Sequence, residues 1–115
     1  MSFEKLNRNH KRTIKEGVVL DEMPFKKLKE FKGKQLRVEG FFFTNGDYGK
    51  QVVVVANGCK INMPARAVAD FEQIYNDDEM LNAVLNGDLL IKDIKEVKAK
   101  MGKTISYIYE TYEPF

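Results

Sequence analysis

The chain has 115 residues, 43% of them hydrophobic and 31% charged, with a formal net charge of +2. That length suits one domain with a modest core. A single cysteine, Cys59, excludes an internal disulfide and a multi-cysteine zinc site; a single histidine, His10, leaves no basis for histidine metal or triad chemistry; and no apolar run approaches the ~20 residues of a membrane helix. The N-terminus, MSFEKLNRNHKRTIKEG, is charged and has no hydrophobic segment to act as a signal peptide, so a cytoplasmic protein is expected. The charge is unevenly spread. Residues 1–15 sum to +4 and residues 70–88 to −6, while residues 16–69 and 89–115 carry +3 and +1. An acidic block beside a basic remainder suits a polyanion partner or an ordinary solvated surface.

Residues 1–23 are the least patterned and read as a basic arm or short extension, with EGVVLDEM as a short strand. The domain proper runs from 24 to 115. PFKKLKEFKGK places Phe25, Leu28 and Phe31 at the spacing of one helical turn or a short lead-in, and Gly33 punctuates the chain. QLRVEGFFF then alternates. Leu36, Val38 and Phe42 fall on one face and Arg37, Glu39, Phe41 and Phe43 on the other, with Gly40 between, where an internal glycine marks a bulge or bend. TNGDYG supplies residues that tolerate positive φ for a hairpin, and KQVVVVA is a β-branched second strand. ANGCK turns again into a short third strand, KINM. Pro64 suits a first helical position, and Val68, Phe71, Ile74 and Tyr75 make one amphipathic face. Asp77 can cap a second short helix with Met80, Leu81, Val84 and Leu85 as its apolar stripe, and Asn86-Gly87 can stop it. DLLIKDIKEVKAK is a fourth strand with a phase slip near Asp93, KMGK a turn, and TISYIYETY a fifth strand.

The expected fold class is therefore mainly β with one helical segment, in the order β-β-β-α-β-β. A helix placed only between the third and fourth of five strands gives a five-stranded OB-fold Greek-key barrel, and a bent first strand fits because it has to serve both sheets. The alternative is another α+β sandwich with a helix on one face.

On the barrel reading, the rings near the first hairpin gain a purpose. Phe41 and Phe43 share a face with Arg37 and Glu39, which places them outside the core, and Tyr48 sits at the hairpin tip; Phe42, Tyr107 and Tyr109 read as core. Exposed rings with cations around them bind single strands by stacking, which needs no sequence readout because every base has a π-face. Arg37, Lys50, Lys60, Lys98, Lys100 and Lys103 would line one groove and contact phosphates, the salt-dependent part of such binding. The competing explanations are core packing or a dimer interface for the rings, and edge protection for the lysines. No Walker loop, GxGxxG or HExxH is present, and Asp77, Asp78 and Glu79 are explained by their place at a helix start. No enzyme, metal or cofactor is expected, and neither His10 nor Cys59 has a visible role.

The lead-in FKGK, the strand LRVEGF, the NGDYGKQVVV turn and strand, and the helix before the last hairpin resemble the small OB-fold single-stranded DNA-binding proteins of phages and mobile elements. The similarity spans about residues 24–112. It implies protection of single-stranded DNA in phage-type replication or recombination, without catalysis, as a homodimer or higher homo-oligomer; it does not separate DNA from RNA. The ending ETYEPF is similar to the acidic Pro-Phe tip of bacterial single-stranded DNA-binding proteins. By that resemblance Glu113, Pro114 and Phe115 would recruit replication or recombination proteins, although the long linker is missing and the acids are few. The alternative function is a protein-interaction module of the same fold, with the aromatic face as its dimer or partner surface.

Overall fold

In the computed structural model, residues 12–47, 49–100 and 102–112 are described. Two long hairpins dominate. Strand β2 (Leu36–Gly46) returns through the NGD turn as β3 (Gly49–Ala56), and β5 (Leu89–Ala99) returns as β6 (Gly102–Thr111). Short β4 (Cys59–Asn62) pairs with β3. Between β4 and β5 lie two helices, α1 (Ala67–Tyr75) and α2 (Asp78–Leu85). Asp77 caps α2 by accepting from the Met80 N–H at 3.1 Å. Gly87, at φ 82°, ends it.

The strands form one curled, six-stranded sheet in the order β1-β4-β3-β2-β5-β6. The sixth strand is β1 (Phe25–Lys27), which pairs parallel with β4 where the sequence suggested only a helical turn or lead-in. That turn follows as a 3-10 helix over Leu28–Phe31. The single helical segment is resolved into two helices by the Asp77 cap. EGVVLDEM forms no strand; instead Ile14, just before it, bridges Gly40 of β2.

Two irregularities shape the sheet. Val38 pairs with Ala56 and Gly40 with Val55, so Glu39 is an extra residue on β2. The slip brings Val38 and Phe41, three residues apart, onto the same inner face. In β5 the register shifts between Lys92 and Lys95, where Asp93 has φ 53°, and Ile91 and Ile94 both turn inward. The sequence anticipated this second slip. Because β2 bends at its bulge, its start pairs with β5 (Leu36↔Ile91, Arg37↔Leu90) and the rest with β3.

Leu36, Val38, Val52, Val54, Ile61, Ile91 and Ile94 of the sheet meet Phe71 and Ile74 of α1 and Leu81 and Val84 of α2 in one core. Burying such side chains contributes about 1.5–3 kcal/mol each. Among the described residues, no helix is long and apolar enough to cross a membrane.

Candidate nucleic-acid interface

The bulge decides which rings of the first hairpin face out. Phe41 is fully buried, with its ring centroid 5.0 Å from that of Phe71 and 5.8 Å from that of Phe43. The expectation that Phe41 is exposed is corrected. Strict alternation from Arg37 put it outside, and the extra Glu39 reverses the phase. For the same reason Phe42, read as core, lies on the other face and is half-buried. Phe43 shares the inner face with Phe41 and is half-buried against the core, edge-on to Tyr75 at 6.5 Å, so the expectation that it lies outside the core is corrected as well. The Lys50 ammonium lies 4.4 Å from the Phe43 ring centroid and 2.9 Å from Oε1 of Glu72. Around this pair opens a pocket of about 560 Å³ lined by Thr13, Phe42, Phe43, Lys50, Glu72, Tyr75 and Asn76. Its lining mixes aromatic residues with hydrogen-bonding groups. Tyr48, the remaining ring of this hairpin, lies outside the described residues.

Phe41 and Phe71 belong to a chain of ring contacts that continues through Tyr109 (6.1 Å) to Tyr107 (5.5 Å). Both tyrosines pack against the core, as their sharing a face with Ile105 suggested. The Tyr109 hydroxyl donates to Oδ2 of Asp70 at 2.9 Å. Burial, with Tyr107 and Asp70 as neighbours, pushes its pKa well above the usual tyrosine range. Arg66, at the start of α1, lies over the Tyr107 ring and donates to the Ile105 carbonyl oxygen and Thr104 Oγ1.

The cations expected in one groove occupy separate places. Arg37 Nε donates to the Gly87 carbonyl at 2.7 Å, and its guanidinium sits 3.8 Å over the Tyr112 ring. It ties the start of β2 to the end of α2 and to the chain beyond β6, six residues and about 20 Å of strand away from Phe43. Lys60 lies 4.4 Å over the ring of Phe25, which is 57% exposed. Lys98 and Lys103 face each other across the β5–β6 hairpin and, with Lys100 at its turn, are exposed.

That hairpin has lysine neighbours that no pattern in the sequence joins to it. The Gly33 N–H donates to the Ile94 carbonyl at 3.1 Å, and Lys32 Nζ lies 3.6 Å from Glu96. The bond lays the end of the 3-10 turn against β5. Residues 24–34 and 93–104 together carry nine lysines against Glu30, Asp93 and Glu96. The only local signal was the Lys-Gly-Lys spacing at 32–34; the partner strand is some sixty residues away in sequence. The acidic block ends at Asp88, where the chain after α2 leads into Leu89 at the other end of β5. Lys98 lies nine residues further along, about 30 Å at the rise of a strand. Lysines thus dominate the turn end of the β5–β6 hairpin, and Asp70, Asp88 and Glu110 lie near its other end.

Among the described residues, no group of three or more His, Cys, Asp or Glu side chains could hold a metal ion. Cys59 is half-buried, with Sγ 3.6 Å from the Asn57 carbonyl oxygen. His10 and the tail residues Glu113, Pro114 and Phe115 lie outside the described residues. Comparison with known proteins finds no matching family model, no significantly similar curated protein and no significantly similar solved structure.

Proposed function

We propose that the chain is a non-enzymatic, OB-type module that binds single-stranded DNA with little sequence preference, in replication or recombination of the phage type. The observation that carries this is the lysine pole, where the Gly33–Ile94 bond joins two lysine-rich segments distant in sequence. A dense field of exposed ammonium groups with few carboxylates among them attracts a phosphate backbone and releases its counterions. The OB reading is supported by β2, which bends at its bulge to bond β3 and β5, and by helices placed between β4 and β5.

In this account Lys32, Lys34, Lys98, Lys100 and Lys103 contact phosphates, and Lys60 extends the path towards β1. Bases stack on exposed Phe25 and enter the pocket of Phe43 and Tyr75 beside Lys50. Arg37 and Phe41 take no part, because one is held by Gly87 and Tyr112 and the other is buried.

The test is fluorescence anisotropy of a labelled oligo-dT with the full chain, with unlabelled duplex and single-stranded DNA as competitors. The proposal expects single strands to compete and duplex of equal length to compete poorly, since paired bases offer no free face for stacking. Equal competition by the two would reduce the site to a non-specific polyanion surface. Absence of binding at low salt would remove the function.

A further inference from the structure

Nucleic-acid binding at the lysine pole leaves the acidic pole without a role. Between α1, α2 and the end of β6 runs an open groove of about 360 Å³, lined by apolar Met80, Val84 and Leu89 and by the carboxylates Asp70, Asp88 and Glu110. Among the described residues, none that lines it is basic. Met80 is 41% exposed there. Glu110 is ion-paired with Lys92, and this bond holds the Lys92 pKa above its usual value.

A groove with an apolar lining and a surplus of carboxylates fits a ligand with the same two properties inverted. Lysine has them in one side chain, since its four-carbon stem covers apolar surface while the ammonium reaches a carboxylate. An exposed set is on the molecule itself, at the β5–β6 turn, where Lys98 and Lys103 face each other and Lys100 lies between them in sequence.

Tip and groove cannot meet within one copy. They lie at opposite ends of the same two strands, about 30 Å apart. Between two copies the same separation becomes an advantage. Two β5–β6 hairpins laid side by side in opposite directions bring each tip to the other's groove, and the pair closes with two-fold symmetry. Strand β6 is the last of the sheet, and Ile108 on it is 46% exposed.

We propose that the acidic groove between α1, α2 and β6 receives the Lys98–Lys103 hairpin tip of a second copy, reciprocally, in a salt-sensitive homodimer. The pairing does not depend on nucleic-acid binding and is read without it. Where single-stranded DNA uses the same lysines, it competes with the second copy.

Sedimentation velocity of the full chain, without DNA, tests this at about 0.05 M and about 0.5 M salt, because exposed charge pairs are screened across that range. The wild type is expected to be a dimer at low salt and a monomer at high salt. Lys100→Glu and Asp88→Lys should each be monomeric at low salt, and the double variant carrying both should pair again. Restoration by the double swap also shows that neither single variant failed through misfolding. Lys100→Glu, at an exposed turn, leaves the core untouched and tests the contact alone. A wild type that stays monomeric at low salt, a dimer indifferent to both substitutions, or a double variant that remains monomeric would each overturn the proposal.

Discussion

The Gly33 N–H and the Ile94 carbonyl, 3.1 Å apart, join the segment before β2 to the middle of β5. This bond sets the lysines at 32 and 34 beside the strand that leads to Lys98 and Lys100. Lys34 and Lys100 should therefore act in the same interaction despite their separation in sequence. Lys34→Ala and Lys100→Ala are each expected to weaken oligo-dT binding and to reduce its salt slope by about 0.7 per lost phosphate contact. Arg37→Ala should leave the slope unchanged and lower stability instead. Its bond to Gly87 and its place over Tyr112 hold strand to helix, and a hydrogen bond from a charged donor contributes about 1.5–3 kcal/mol.

Gly40 has no room for a side chain. A Cβ built there would lie 2.6 Å from Ile14 Cα and 2.7 Å from the Thr13 carbonyl oxygen. Those backbone atoms are fixed by bonds from Phe41 N to Thr13 O at 2.9 Å and from Lys15 N to Glu39 O at 2.7 Å. Gly40→Ala should cost about 1–3 kcal/mol, the range for overpacking a fitted site. Chemical denaturation measures the loss. Hydrogen exchange locates it: the amides of Lys15 and Phe41 should lose protection if the segment lifts.

Phe41 and Phe43 should part company. Phe41→Ala is expected to cost about 3–5 kcal/mol of stability, as for any large ring removed from a core. Phe41→Leu, which keeps most of the volume, should bind oligo-dT like the wild type. Phe43→Leu, at a half-buried ring packed against the core, should cost less stability than Phe41→Ala and bind more weakly by about 1–3 kcal/mol, the range for one stacked base. Urea midpoints and anisotropy on the same variants separate the two effects.

Tyr109 makes stability depend on alkaline pH. Burial raises its pKa in the folded chain, whereas an unfolded tyrosine loses its proton near pH 10. The folded state keeps the proton after the unfolded state has released it. The contribution is therefore full below pH about 10 and declines as pH rises above it. Between pH about 9 and about 11 the wild-type Tm should fall more steeply than that of Tyr109→Phe, which has no proton to retain. Parallel curves would show that Tyr109 is not the group responsible.

Local order was legible in the sequence where one residue type answers one backbone need. The first hairpin, the slip at Asp93, the Asp77 cap and the Gly87 stop all follow from such signals. The side on which Phe41 lies did not follow. Gly40 marked an irregularity, but a period of two cannot say whether a residue is inserted, and one insertion exchanges the faces of every ring after it. Strand β1 was missed because its three residues find their partners near Lys60, far along the chain, and carry no alternation of their own. Arg37 was expected in the groove, and Lys32 was not. Only tertiary contacts separate them, one satisfied by Gly87 and Tyr112, the other delivered to the lysine pole by a neighbouring backbone bond.

The central claim is that the lysine pole binds single-stranded DNA through its phosphates. The most direct measurement is the affinity of the full chain for oligo-dT as a function of salt. Contacts from Lys32, Lys34, Lys98, Lys100 and Lys103 predict a plot of log K against log salt with a slope of about −3 to −4 for single strands. A slope near zero would contradict the claim, as would no binding at the lowest salt.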